Sequence, residues 1–151
     1  SPLDPTPDVT LIDFEYSCYG PRGFDLANHL IEHCGFECDW RRLPSRAFRR
    51  GFCAAYLGDE ADDEEKVTEL LLETEAFYPV SHLWWGLWAA MQARTEKEKA
   101  IEFDYAAYAE KRLDEFRRMR RFAFLFQGDD AHVSGTTDDD AADLLGPRLP
   151  G

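Results

Sequence analysis

The sequence predicts a mostly α-helical domain with one short β element, on three observations. Apolar residues recur at helical spacing from about residue 25 to residue 127. A single stretch, "VTLIDFEY" (9–16), reads as a buried strand instead. Gly and Pro cluster in short connections, as in "SCYGPRG" (17–23), so the elements follow one another closely. The chain reads as one strand followed by helices, the helical half of a fold whose sheet would lie upstream.

In "VTLIDFEY", Val9, Leu11, Ile12 and Phe14 give the strand its apolar character, and Asp13 and Glu15 sit at its C-terminal end. After the loop, Asp25 can cap a helix carrying Leu26, Leu30 and Ile31 on its apolar face, and Gly35 ends it. "FECDWRRLPS" is a connection. Arg46 to Leu57 forms a short helix with Phe48, Phe52, Ala55 and Tyr56 expected inside. From Asp62 to about Gln92 the pattern is helical, with Val67, Leu70, Leu71, Thr74, Phe77 and Tyr78 on one face. Pro79 should kink or split this run. "VSHLWWGLWAAMQA" (80–93) is apolar almost all round and is expected to be buried on several sides. "RTEKEKA" is a charged turn, and "IEFDYAAYAEKRLDEFRRMRRFAFLF" (101–126) a last helix with basic residues in its C-terminal half, as the helix dipole favours. Residues 1–8 read as a Pro-rich linker, 9–127 as the folded lobe and 128–151 as an acidic disordered tail. The start, with neither Met nor a signal peptide, suggests a chain that begins partway through a larger protein.

The totals restrict the partners. Among 151 residues, 30 acidic against 17 basic side chains give a net charge of −13. That argues against nucleic acid or an anionic membrane, which need a basic patch. No apolar run reaches membrane-span length. Four cysteines without a Cys-x-x-Cys make no disulfide scaffold, and reduced thiols in a cytoplasmic protein are the simplest reading. His29, His33, Cys34 and Cys38 are spaced so as to suggest zinc. A continued helix, however, would turn the two pairs to different faces.

Two constellations could carry chemistry. On a strand, Asp13 and Glu15 share a face. They would be either solvated acids or, with Asp13 partly buried, ligands for a hard divalent ion, since magnesium takes one or two carboxylates plus phosphate oxygens. Trp85 and Trp88 are three residues apart and share a helix face beside Trp84, with Phe103, Tyr105 and Tyr108 downstream. They would be either plain core or, around a carboxylate, a box for a cationic ammonium. Gly86 would remove bulk beside the rings.

"IDFEYSCYGPRGFDLANHLIEH" closely resembles the signature of the choline/ethanolamine kinase family. "SHLWWGLWAAMQA" and "IEFDYAAYAEKRLDEF" look like that family's later landmarks, in the right order, and the likeness covers about residues 9–120. "GFECDW" looks more like ethanolamine kinases than choline kinases. The resemblance implies the C-terminal helical lobe of a protein-kinase-like (α+β) fold. It also implies transfer of the ATP γ-phosphate to the hydroxyl of ethanolamine, or alternatively choline, in phosphatidylethanolamine biosynthesis.

By the same resemblance, Asp13 would bind Mg2+, with Glu15 adjacent to it. Glu32, Trp85, Trp88 and Tyr108 would form the amine pocket, with Tyr16 and Phe103 nearby. Arg22 and Asp25 would be structural, Asp25 as a buried anchor of the catalytic loop. No catalytic residue falls within this chain: the family's His-Asn-Asp loop and its ATP-binding lobe would lie upstream, so the chain alone would be inactive. "CYGPRG" departs from the usual Tyr-Asn-Tyr-Arg-Gly, and "RTEKEKA" is longer than the usual connection. An aromatic that choline kinases add after the Glu helix has Phe36 or Trp40 as its candidates. The family also implies a homodimer, with contacts largely outside this chain. A non-catalytic helical binding module with the same shape is the reading from a different class.

Overall fold

The computed structural model describes residue 10, residues 12–95 and residues 103–123, with side chains through residue 120. The expected linker (1–8) and acidic tail (128–151), like Val9, Leu11 and the "RTEKEKA" turn beyond Thr95, lie outside the described residues.

Four α-helices make up the described fold: α1 (Arg22–Glu32), α2 (Arg46–Leu57), α3 (Glu64–Thr95) and α4 (Tyr105–Ala123). The long α3 is the spine, and α1, α2 and α4 each pack against it. Pro79 neither ends nor splits α3, which runs unbroken past it and buries the ring. There is no strand among the described residues. Residues read as the strand's end instead form a 3-10 turn, Phe14–Tyr16, entered through Asp13 in the left-handed region at φ 64°. The described chain offers no neighbouring strand to pair with, and a lone strand cannot satisfy its backbone.

Helix α1 starts four residues earlier than a cap at Asp25 implies. Pro21 precedes it with no side-chain cap, and its N-terminus is satisfied from another helix. The Glu73 carboxylate on α3 accepts from the Gly23 backbone N–H (3.1 Å) and from Arg22 Nε (3.0 Å). A negative group there satisfies an orphan donor and suits the helix dipole. Gly23 is required because a Cβ would lie 2.8 Å from the Phe77 ring. Asp25 is exposed in the first turn rather than buried.

The core has two parts. Leu26, Cys53, Val67, Leu70 and Leu71 join α1, α2 and α3. Ala27, Leu30, Ile31, Tyr78 and Met119 join α1, α3 and α4. The α3 face anticipated from Val67 to Tyr78 is thus the buried one. Helix α2 is rotated from expectation: Phe48, Ala55 and Tyr56 face outward, Phe52 is half-buried, and Arg49 and Cys53 are buried. Arg49 explains the rotation. Its guanidinium reaches the Glu75 carboxylate (3.3 Å) and donates to the Tyr78 hydroxyl (3.4 Å). A paired arginine can take an interior position that apolar counting assigns to phenylalanine.

Residues 80–93 are buried on one side only. Val80, Trp84, Leu87 and Met91, spaced along one face of α3, remain exposed, because α1 and α4 cover the opposite side. Gly86 does not make room for the tryptophans. A Cβ at Gly86 would lie 2.8 Å from Leu113 of α4, so the glycine sets how closely α3 and α4 approach.

Candidate functional site

Where the C-terminal half of α1, the last third of α3 and the start of α4 converge, a cavity of about 560 Å3 opens. Helix α1 supplies Asn28 and Glu32, α3 supplies Trp85 and Trp88, and α4 supplies Tyr105 and Tyr108, with Phe36 and Phe103 from the flanking segments. The rings interlock edge to face. Trp85 and Trp88 stand 5.5 Å apart at 78°, Trp88 and Tyr105 5.6 Å apart, and Phe103 bridges Tyr105 (4.7 Å) to Phe36 (5.5 Å). Such T-shaped contacts fix ring planes against one another.

Both indole N–H groups have acceptors. Trp88 Nε1 donates to the Tyr16 hydroxyl (3.1 Å), and Trp85 Nε1 donates to Asn28 Oδ1 (2.6 Å). Tyr16 also sets its ring edge-on to Trp85 at 6.0 Å, so the turn carrying Asp13 and Glu15 is tied to the cavity. Burial pushes the Tyr108 hydroxyl above its ordinary pKa, so at neutral pH that wall carries no charge. Glu32, exposed at the last position of α1, is the one carboxylate of the cavity lining among the described residues.

The structure therefore brings Glu32, Trp85, Trp88, Phe103 and Tyr108 to one cavity and Tyr16 to its tryptophans. Trp84 is separated from them and meets Phe24 on another face. Asn28 and Tyr105 line the cavity without having been assigned a role from sequence. Asn28 had no periodic or charge signal, and Tyr105 was one aromatic among several. Of the two candidates for the extra aromatic, Phe36 lines this cavity. Trp40 packs against His82 (4.8 Å) and borders a second cavity, of about 260 Å3. The charged groups of that second cavity are largely paired already, Arg118 with Glu115, Arg41 with Asp39, and Lys111 with the Glu37 carbonyl.

Asp13 and Glu15 are both exposed, Asp13 with no side-chain hydrogen bond as the cap of the Phe14–Tyr16 turn. The burial expected for Asp13 is not found, since the residues after it, Phe14–Tyr16, turn instead of continuing a strand. In this turn the strand alternation that would set Asp13 and Glu15 on one face is lost, though a carboxylate is the donor type magnesium takes beside phosphate and water. Zinc has no such support. His29 stacks on Phe52 (4.9 Å) and His33 sits edge-on to Phe48, while Cys34 and Cys38 turn into the interior. No group of three or more His, Cys, Asp or Glu among the described residues is arranged to hold a metal ion. No described helix is long and apolar enough to cross a membrane.

Comparison with known proteins identifies the family. The family profile for choline/ethanolamine kinase matches residues 3–117. A probable ethanolamine kinase of Arabidopsis thaliana is 38% identical over 117 residues, covering 76% of this chain and 30% of that protein. A probable choline kinase of the same plant is 33% identical over 117 residues, covering 72% of this chain and 33% of its own length. An ethanolamine kinase of Plasmodium vivax superposes with a TM-score of 0.66 at 39% identity, over 76% of this chain and 30% of that one. The chain thus spans about a third of the length of the relatives it matches. With the family profile covering most of its length, the chain belongs to the choline/ethanolamine kinase family.

Proposed function

We propose that this chain is the amine-recognising, C-terminal lobe of an ethanolamine kinase, and that the aromatic cavity holds the ammonium head of the substrate. The observation that carries the reading is a wall of interlocked rings beside the Glu32 carboxylate. Ring faces attract a cation through their quadrupole, and a nearby carboxylate adds a charge without filling the pocket. A neutral alcohol of the same shape gains neither.

The reaction would be transfer of the ATP γ-phosphate to the amino alcohol's hydroxyl. Asp13 and Glu15 would hold Mg2+, which neutralises phosphate charge during transfer. Tyr16, next to Glu15 and bonded to Trp88, would link the metal end of the site to the amine end. The sequence contains neither a Gly-rich phosphate loop nor a His-Asn-Asp motif. The 151 residues alone are therefore expected to bind amine without transferring phosphate, since positioning of both substrates supplies nearly all of this catalysis.

Choline is the second reading. The cavity walls are almost wholly aromatic, which suits a quaternary ammonium that donates no hydrogen bonds, and choline kinases are among the relatives. Calorimetric titration of the chain with ethanolamine, choline and the uncharged isostere 3,3-dimethylbutanol tests both. Binding of an ammonium but not of the neutral alcohol supports the cavity's role, and the tighter amine decides the substrate. Equal binding of the neutral alcohol, or no binding of either amine, contradicts it.

A further inference from the structure

Asn28 differs from the other described residues that line the cavity. It is neither aromatic nor charged, and its side-chain oxygen faces two donors at once: Trp85 Nε1 at 2.6 Å and Ser81 Oγ at 2.9 Å. An indole nitrogen only donates, so the oxygen of the Asn28 amide must be the atom that meets it. Ser81 is fully buried, and its Oγ accepts from Arg112 at 3.3 Å. Arg112 is itself 2% exposed, and its guanidinium lies 5.6 Å from the centre of the Tyr108 ring. Hydrogen bonds therefore run from Arg112 through Ser81 to Asn28, where they meet the Trp85 indole. The buried cation at one end holds a second cavity wall, Tyr108.

We propose that Asn28 is a positioning residue for amine recognition: it holds the Trp85 indole by its N–H, so that the ring plane is set before the ammonium arrives. The inference rests on the amine reading of the cavity given above. Its physical basis is the ring quadrupole. The N–H is the most positive part of an indole edge, and an ammonium is attracted by the face and repelled by that edge. An indole free to rotate would lose part of its attraction and would pay ordering entropy on binding. An amide supplies the acceptor without adding a carboxylate to that of Glu32.

The test uses the 151-residue chain, 15N-labelled on its tryptophans, with choline chloride as the probe. In the unmodified chain the Trp85 indole proton should resonate downfield, as a short hydrogen bond requires. Asn28→Leu should move that signal toward the position of an unbonded indole and weaken choline binding about tenfold, equivalent to about 1.4 kcal/mol. Asn28→Asp keeps the acceptor, so it should hold the Trp85 signal and bind choline at least as tightly as the unmodified chain. Trp85→Phe removes the N–H. In that background Asn28→Leu should change choline affinity less than about twofold, as expected when one residue acts through the other. An unmoved Trp85 signal in Asn28→Leu, or equal tenfold losses in both backgrounds, overturns the positioning role while leaving the amine site intact. Absence of any effect of either choline or ethanolamine on the unmodified chain's indole signals overturns the amine reading and the recognition role with it.

Discussion

His82 shows how one buried side chain can set the acid limit of this fold. It is 1% exposed beneath Trp40, and its Nδ1 has no hydrogen-bond partner among the described residues. Burial pushes its pKa down to about 2, with Arg112 and Arg118 adding to the effect. The native imidazole is therefore neutral, whereas the unfolded one takes a proton below about pH 6.5. Between those two values the unfolded chain binds more protons. The contribution is complete above about pH 6.5 and is lost as pH falls, by up to about 1.4 kcal/mol per unit from this residue. Urea unfolding at several pH values, comparing the unmodified chain with His82→Gln, should show a shallower acid loss in the variant; parallel curves would exclude His82 as the cause. Cysteine reactivity offers a second check at this scale. Cys18 is exposed, while Cys34, Cys38 and Cys53 are buried, and burial raises the Cys34 thiol to about 11. Iodoacetamide should modify Cys18 alone in the native chain, and the other three only on unfolding. Rapid native labelling of Cys34 would contradict its placement in the interior.

Helix pairing is set by what is missing as much as by what is present. Gly86 lets α4 approach α3 so closely that an added Cβ would lie 2.8 Å from Leu113. Gly86→Val should cost about 2 kcal/mol by overpacking, and Leu113→Ala in the same chain should recover part of it. Additive losses in thermal or urea unfolding would mean that the two side chains do not share this contact. Much of α3 was legible, because Val67, Leu70, Leu71, Thr74 and Tyr78 follow the helical period without interruption. Its continuity past Pro79 was not legible, since local rules favour a break there. The buried face of α2 is hidden from local periodicity for a different reason. Arg49 is buried by its pairing with Glu75, on a helix distant in sequence, and no window around residue 49 contains that partner. Glu73 is a similar case, capping α1 from about fifty residues away, so the start of that helix was misplaced.

At the scale of the molecule, α3 acts as a spine that presents one face to α1 and α4, and the aromatic cavity forms where all three meet. Glu32, Trp85, Trp88 and Tyr108 could be anticipated because chemical type and motif order mark them. Asn28 could not, since its role exists only once Ser81 and Trp85 fold against it. The strand expected at 9–16 depended on a sheet that the described residues do not supply, and the turn found there leaves Asp13 and Glu15 exposed. The central claim is that a cation occupies the space between these rings. A crystal structure of the chain soaked with choline tests it most directly. The ammonium should sit within about 6 Å of the Trp85 and Trp88 ring centres, on the Glu32 side of the cavity. A choline bound elsewhere, or a cavity that stays empty in separate soaks at saturating choline and saturating ethanolamine, would contradict the claim.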